Sequence, residues 1–216
     1  TLALKMYGTT GGTEQYNGSS WTTVANQAIA RDWATGGGSN DSSGATGVMF
    51  GGKTSSGSPA FTAATEEFTT TVFSPIAATW ASGGAMNTAR LAGAAGGTQT
   101  AAFYAGGRVG PPGGTALSEE YNGSSWTEGD NLNTPRQYVA GAGTQTAGLA
   151  AGGYPATGAT EEYNGTSWAS QPNSMGTGRA FGGMAGAQTS AVYAGGNNPS
   201  ATPVTNSELY NGTSWS

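Results

Sequence analysis

Cysteine and histidine are both absent from this chain of 216 residues, and charged residues make up only 9% of it. Without cysteine there can be no disulfide, no thiolate metal site and no cysteine nucleophile. Without histidine the chain lacks the commonest general base and the commonest metal ligand. Because these two absences remove most catalytic arrangements, we expect a protein that uses no cofactor and no metal.

Long hydrophobic runs and positive charge are also scarce. The longest apolar runs span a few residues, far fewer than the roughly 20 that a transmembrane helix needs. We therefore expect no signal peptide and no membrane insertion. Seven basic residues stand against twelve acidic ones, which gives a net charge of -5. This balance argues against a surface that binds nucleic-acid phosphates.

Small residues dominate what remains. Glycine alone occurs 39 times, and together with alanine, threonine and serine it makes up more than half of the chain. Such a composition disfavours helices and favours turns and pleated strands. Disorder is the other common outcome of low complexity, but aromatic residues recur here at fixed places, which a disordered linker has no reason to arrange. The sequence therefore predicts a folded, all-β protein.

One hairpin motif returns along the chain. It reads EQYNGSSW at residues 14–21, EEYNGSSW at 119–126, EEYNGTSW at 161–168 and ELYNGTSW at 208–215. A fifth, degenerate copy begins at Glu66 and reaches its tryptophan at Trp80, after an insertion. The recurring tryptophans, at intervals of 59, 46, 42 and 47 residues, are Trp21, Trp80, Trp126, Trp168 and Trp215.

Each unit has four strand signals in a constant order. An arginine stands ten or eleven residues after each of the first four tryptophans, namely Arg31, Arg90, Arg136 and Arg179. A strand of small residues (A), an apolar strand ending in Gly-Gly (B), a Glu-x-Tyr strand (C) and the tryptophan strand (D) follow. Repeats of about 40 to 50 residues with four strands each are typical of β-propellers.

The unit from residue 90 to 135 serves as the type unit. We predict strand A at 91–96, a turn at 97–100, strand B at 101–105 and strand C at 118–121. The glycine pair after strand B should adopt backbone angles that a Cβ would forbid. Asn122-Gly123 predicts a type I′ turn, with positive φ at both residues.

The order arginine, Gly-Gly, Glu-x-Tyr and tryptophan resembles the kelch repeat, in a compact form with a YNGSSW or YNGTSW hairpin that is found in phage and other microbial proteins. The resemblance covers essentially the whole chain, although the spacing from tyrosine to tryptophan is shorter than in animal kelch proteins. It implies four-stranded antiparallel blades arranged as a ring. Fold alone implies no function.

We predict a single domain, residues 1–216, that forms a five-bladed kelch-like β-propeller. The blades are 1–30, 31–89, 90–135, 136–178 and 179–216. The first unit has signals for strands B, C and D but lacks strand A. Either the chain is an excerpt of a longer protein, the alternative we favour, or the first blade has three strands and the ring closes by an unusual contact.

The recurring polar and aromatic residues have structural explanations. Pairs of adjacent glutamates suggest a glycosidase, but neighbours on a strand point to opposite faces, and an active site needs its acids only once. We predict that one glutamate of each unit pairs with a buried recurrent arginine. Each Asn-Gly-Ser/Thr is interpreted as a turn rather than a glycosylation site. The motif tyrosines, predicted to pack between blades, are Tyr16, Tyr121, Tyr163 and Tyr210.

Loops that vary on a repeated scaffold are where recognition usually occurs. The A–B and C–D turns are nearly uniform, whereas the B–C loops at 53–64, 108–117, 154–159 and 197–205 differ in every unit. Neutral hydroxyls and amides there favour carbohydrate over a charged ligand. Trp33, without an evident counterpart, is a further candidate for a special role. The loop residues predicted to contact a ligand are Lys53, Arg108, Tyr154, Asn197 and Asn198.

These features predict a non-enzymatic recognition or adhesion module that binds a glycan or a host surface receptor. The resemblance implies a viral or phage-like surface or tail protein, located on the virion or another extracellular surface. Two alternatives stay open. One is a structural spacer or decoration domain that contacts other virion subunits. The other is a glycan-cleaving enzyme, which needs a single cluster of acids around the central channel.

Overall fold

The computed structural model of the chain describes residues 3–6, 12–16, 21–23, 26–28, 31–32, 35–41, 44–54, 62–71, 79–111 and 113–216. These residues form twenty β-strands in six antiparallel sheets, and none of them is helical. Within the same ranges, accordingly, no helix could span a membrane. The prediction of an all-β chain is confirmed.

Five of the sheets, called I to V here, follow one another along the sequence. Sheet I has three strands, β1 (Ala3–Met6), β2 (Thr13–Tyr16) and β3 (Trp21–Thr23). Sheet II has four, β5 (Thr35–Asp41), β6 (Gly44–Phe50), β8 (Thr65–Thr71) and β9 (Thr79–Ser82). The short strands β4 (Arg31–Asp32) and β7 (Lys53–Thr54) pair beside it as the sixth sheet.

The C-terminal half of the chain repeats this plan. Sheet III consists of β10 (Ala94–Thr98), β11 (Ala101–Ala105), β12 (Ser118–Tyr121) and β13 (Trp126–Glu128). Sheet IV consists of β14 (Ala140–Thr144), β15 (Ala147–Ala151), β16 (Thr160–Tyr163) and β17 (Trp168–Ser170). Sheet V has β18 (Gly183–Ala187), β19 (Ser190–Ala194) and β20 (Ser207–Tyr210), with Trp215 bridged to Tyr210 in place of a fourth strand. In the part of the chain that the structure describes, sheet I has the predicted strands B, C and D.

The predicted strands B and C of the type unit have the bounds of β11 and β12, but strand A is displaced. It was predicted at 91–96 and instead begins at Ala94. Leu91 forms an isolated bridge with Arg108, and Ala92 then takes a left-handed backbone, with φ of 61°, which breaks the ladder. The turn is correspondingly shorter and contains only Gln99 and Thr100.

The first strands of sheets II to V, called the innermost strands here, lie side by side. Strand β10 contacts β5 and β14, and β14 contacts β18. Small side chains are required there because the backbones approach closely. A Cβ on Gly141 of β14 would lie 2.4 Å from the backbone nitrogen of Ala95 in β10. The abundance of glycine and alanine in these strands is thus a packing requirement.

The Asn-Gly turns differ from the predicted type I′ geometry. Only the glycine has positive φ, +91° at Gly123, and the loop contains four residues between the paired Tyr121 and Trp126. The Asn122 side-chain oxygen accepts hydrogen bonds from the backbone N–H groups of Ser124 and Ser125, at 3.0 and 2.9 Å. The asparagine side chain therefore closes the turn, which relieves its backbone of the left-handed conformation. Asn164 and Asn211 do the same, while Asn17 lies outside the described residues.

Three of the four recurrent arginines, Arg90, Arg136 and Arg179, are buried, as predicted. Arg90 and Arg136 form ion pairs of 2.9 and 2.8 Å with Glu119 and Glu161 of their own sheets. Arg179 pairs in the same way with Glu208. Burial lowers the pKa of the Arg90 and Arg136 guanidinium groups, while the paired carboxylates act in the opposite direction. The side chain of Arg31 lies outside the described set.

Sheets III, IV and V each donate a similar set of hydrogen bonds to the sheet before them. The tyrosine hydroxyls of Tyr121, Tyr163 and Tyr210 donate to Glu67, Glu120 and Glu162 of the preceding sheets. The indole N–H groups of Trp126, Trp168 and Trp215 donate to Thr65, Ser118 and Thr160. Gln145 and Gln188 each donate their amide to two carbonyl oxygens of the preceding sheet.

These contacts fill the space between sheets with aromatic rings. Tyr121 and Tyr163 are buried, as are Trp126 and Trp168, so the prediction that the motif tyrosines pack between units holds for the described copies. Tyr16 has no described side chain, and Trp21 of sheet I is 46% exposed. The repeated antiparallel sheets are compatible with the blades of a propeller.

Candidate functional site

Four of the five residues predicted to contact a ligand occupy one equivalent position. Each directly follows a Gly-Gly pair and lies opposite the residue after a recurrent arginine. These pairs are Lys53 with Asp32, Arg108 with Leu91, Tyr154 with Gln137 and Asn197 with Ala180. The B–C loops and the segments that lead into strand A therefore meet at the same end of the sheets, called the loop end here.

The glycine pairs produce this arrangement. Gly106 and Gly107 have φ of +68° and +98°, and a Cβ on either would lie 2.9 Å or less from a backbone oxygen. The N–H of Gly107 donates to the carbonyl of Arg136 in the next unit, at 2.8 Å. The chain thus turns out of strand B without a side chain and connects to the neighbouring sheet, which confirms the role predicted for these glycines.

An aromatic pair lies at the loop end, two residues after the recurrent arginines. Tyr138 and Phe181 stack with ring centroids 4.0 Å apart. Both have a left-handed backbone, with φ of 55° and 64°. A bulky residue in this conformation costs on the order of 1–3 kcal/mol and persists where the surrounding structure enforces it. Here the N–H of Phe181 donates to the Tyr138 carbonyl at 3.3 Å, and that of Tyr138 to Ala92 at 2.6 Å.

A groove of about 210 Å³ runs between the loops of sheets IV and V. Tyr154, Phe181 and Asn197 line it together with Pro155, Asn198 and Pro199. The rings of Tyr154 and Phe181 are each 53% exposed. Two aromatic surfaces are thus available to a molecule that enters the groove.

The two asparagines of the groove differ in what they can offer. Asn198 uses its side-chain oxygen to accept from the N–H groups of Ser200 and Thr202, each at 3.0 Å, which fixes its own loop. Its amide N–H groups have no partner among the described residues. Neither amide atom of Asn197 has one within that part of the chain. Together they present donors and an acceptor toward the groove.

Lys53 and Arg108 do not line the groove. Arg108 lies one sheet earlier than Tyr154, is half-buried, and donates from Nε to the Gly110 carbonyl at 3.3 Å. Lys53 is half-buried on β7, beside sheet II. The structure therefore brings three of the five predicted residues into one groove and leaves two elsewhere at the loop end.

Tyr138 and Phe181 were not predicted from the sequence. Their signal was present, because the residue two places after the recurrent arginine is Trp33, Ala92, Tyr138 or Phe181, aromatic in three of four units. The interpretation that Trp33 has no counterpart was therefore wrong, since alanine in one unit concealed the pattern. Trp33 itself lies outside the described residues.

The adjacent glutamates are divided between two structural roles. The first of each pair accepts from arginine or backbone N–H groups, as when Glu161 accepts from Arg136 and from Asn133 at 2.7 Å. The second accepts a tyrosine hydroxyl of the following sheet, as Glu162 does from Tyr210. In the ranges that the structure describes, no three acids lie close enough to hold a metal ion.

Comparison with known proteins gives no family. No protein-family model matches the chain, and a search of curated proteins returns no match either.

Proposed function

We propose that the chain is a five-bladed, kelch-like β-propeller and that it serves as a non-enzymatic recognition module for glycans. The ligand would bind at the loop end, in the groove between Tyr154 and Asn197. The observation that carries the proposal is the presence, in one concave site, of exposed aromatic residues beside amide atoms that have no hydrogen-bond partner among the described residues. Such sites, mostly apolar with a few well-placed polar groups, are the usual form of a ligand pocket.

The propeller is supported by the identity of successive interfaces. The tyrosine and tryptophan hydrogen bonds recur between sheets II and III, III and IV, and IV and V. If each sheet is related to the next by the same rotation, repetition generates a ring. The adjacency of β5, β10, β14 and β18 gives that ring a common inner side.

Carbohydrate fits the chemistry of the groove better than other ligands. The flat faces of Tyr154 and Phe181 can stack on the C–H faces of a sugar ring, and the amides of Asn197 and Asn198 can bind its hydroxyls. Its volume of about 210 Å³ is below the roughly 300–1,000 Å³ typical of pockets for drug-sized ligands. One sugar unit of a longer glycan therefore suits it.

The biological setting follows from the resemblance of the repeats to those of phage proteins. We propose a viral or phage-like surface or tail protein, whose glycan belongs to a host surface receptor. The site would then act at the virion or another extracellular surface.

A glycan array tests the proposal directly. Wild-type protein should bind a defined group of glycans, and Phe181→Ala and Tyr154→Ala should each weaken binding about tenfold, because loss of one stacking face removes roughly 1.4 kcal/mol. Leu209→Ala is the matched control, since Leu209 is an apolar side chain of similar exposure outside the groove. Absence of binding by the wild type, or equal binding by all four proteins, contradicts the proposal.

A second candidate, a spacer that contacts other subunits, is favoured by one observation. Sheets II to IV are each covered on one face by the next sheet, whereas the same face of sheet V exposes 36% of Val192 and 58% of Leu209. Exposed apolar faces of this kind often contact another protein. Light scattering over a range of protein concentrations should then detect assemblies of the wild type that Leu209→Glu abolishes. The glycan array should show no binding by the wild type.

A further inference from the structure

We infer that the glycan bound at the loop end carries an anionic group, a carboxylate or a sulfate, and that Arg108 binds it. This inference rests on the proposed function and specifies its ligand. The sequence alone favours a neutral ligand; the structure changes that expectation because it separates Arg108 from the arginines that are buried.

The positive charges of the chain are divided into two groups. Four of the seven are the recurrent arginines, and the three whose side chains are described form buried ion pairs. The others are Lys5, Lys53 and Arg108. Two of these three directly follow a Gly-Gly pair at the loop end. A chain with a net charge of -5 thus places most of its remaining positive charge at the end where the groove lies.

The B–C loops of that end contain no acid, and the acid of the segments that lead into strand A is Asp32, opposite Lys53. Residues 51–64, 106–117, 152–159 and 195–206 contain neither aspartate nor glutamate. Most acids of the C-terminal half are used within and between sheets, as described above. The other two, Glu128 and Asp130, belong to the outermost strand of sheet III and the residues after it, and Asp130 accepts from the Trp168 N–H at 3.3 Å.

Arg108 is better suited to an anion than Lys53. Its bridge partner on the neighbouring segment is the apolar Leu91, whereas Lys53 is paired in register with Asp32. Among the described residues no carboxylate is paired with Arg108, and the hydrogen bond it makes uses Nε alone. The two terminal nitrogens remain for a ligand. A planar guanidinium binds a carboxylate or sulfate through two parallel hydrogen bonds.

Arg108 occupies the position in sheet III that is equivalent to Tyr154 and Asn197, two residues that line the groove. Arg108 in sheet III and Tyr154 in sheet IV occupy the same position in consecutive units, as Tyr154 and Asn197 do on either side of the groove. The hydrogen bond from the Tyr138 N–H to the Ala92 carbonyl, 2.6 Å, joins the two units at this point. In the order of the units, Tyr154 therefore stands between Arg108 and Asn197. We place the charged sugar unit of a glycan that stacks on Tyr154 on the side of Arg108.

The test compares oligosaccharides that differ only in charge. Isothermal titration calorimetry would use an oligouronate, the same oligomer after reduction of its carboxyl groups to alcohols, and a sulfated form of that neutral oligomer. Wild-type protein should bind at least one anionic form about tenfold more tightly than the neutral one. Arg108→Gln should remove this difference, so that its affinities for the anionic and the neutral oligomers become equal. Lys53→Gln is the control and should retain the preference.

The outcomes separate this inference from the function on which it rests. Equal affinity of the wild type for all three oligomers, or an anionic preference that Arg108→Gln leaves intact, overturns the role of Arg108. The proposed function survives that result if Phe181→Ala still weakens binding on the array. Because Arg108 forms no ion pair with any residue that the structure describes, Arg108→Gln should unfold at the same denaturant concentration as the wild type. Loss of folding would then not explain a loss of preference.

Discussion

At the scale of single residues, we expect removal of a recurrent arginine to cause a large loss in the free energy of unfolding. The guanidinium of Arg136 donates to Glu161 at 2.8 Å and to the carbonyls of Gly152 and Ala159 at 2.9 and 2.8 Å. One side chain thus makes hydrogen bonds at the end of strand B, at the start of strand C and to Glu161. Replacing a buried pair as a whole can be neutral, but removing one partner leaves a buried, uncompensated charge.

Arg136→Met should therefore lower the free energy of unfolding by roughly 3–5 kcal/mol, because it leaves Glu161 buried without its cation. Arg108→Met is the matched control, because within the described ranges Arg108 forms no ion pair, and it should change stability by less than about 0.5 kcal/mol. Urea denaturation of the two variants checks this. Similar losses in both would contradict a structural role specific to the recurrent arginine.

The tyrosines between sheets predict a loss of stability in alkali. Burial raises the pKa of Tyr121 to about 12 from its ordinary value of 10.0, and the hydrogen bond to Glu67 acts in the same direction. The pKa values of Tyr163 and Tyr210 are raised for the same two reasons. The folded protein holds protons that the unfolded chain releases, so stability is complete below pH 10 and falls as the pH rises toward 12.

Thermal unfolding between pH 8 and 12 measures how stability decreases as the pH rises. Tyr121→Phe removes one of the titrating groups and should make the decline shallower, although it lowers stability at pH 8 by the loss of one hydrogen bond to a charged group, about 1.5–3 kcal/mol. A stability that is constant from pH 9 to 12 is incompatible with these buried phenols.

Residue roles were predictable from the sequence where the same residue recurs in most units. The arginine–glutamate pairs and the buried tyrosines follow from recurrence alone, since an active site would need such groups only once. Tyr138 and Phe181 were not predicted, because Ala92 interrupts their pattern and nothing local to them indicates exposure. The groove depends on two loops of different sequence that only the packing of sheets IV and V brings together.

At the scale of strands, the close approach of the innermost strands explains the composition of the chain. Strand order and the bounds of strands B and C were predictable because apolar runs, Gly-Gly and Asn-Gly delimit them. The start of strand A was not, because the left-handed Ala92 ends one pairing and begins another. The predicted type I′ turn was also wrong. The asparagine side chain accepts hydrogen bonds from the backbone of the loop and so stabilises a four-residue loop instead of a two-residue turn.

Gly141→Ala tests the close approach. Its Cβ would lie 2.4 Å from the Ala95 backbone nitrogen, so the two inner strands must separate, and we expect a loss of about 1–3 kcal/mol. Gly183 is a glycine of the innermost strand of sheet V, with open space around its Cβ position. Gly183→Ala should therefore leave stability unchanged or raise it by up to about 1 kcal/mol. Equal effects in chemical denaturation would mean that the inner strands are not in contact.

At the scale of the whole molecule, the structure shows sheets that repeat one plan, whereas the number of blades stays a prediction. Repeats specify nearest neighbours, because each interface uses the tyrosine, tryptophan and glutamine of one unit. Sheet V presents Leu209 where sheets III and IV present Glu120 and Glu162, so its outer face lacks the carboxylate that receives a tyrosine hydroxyl elsewhere. The arrangement around an axis is the part of the fold that remains a proposal.

A crystal structure of the protein with an array-selected oligosaccharide tests the central claim most directly. We predict successive sheets around one axis, with the sugar stacked on Tyr154 or Phe181 at the loop end and any anionic group on Arg108. A linear stack of sheets, or a sugar bound among the Asn-Gly hairpins at the opposite end, would contradict the account.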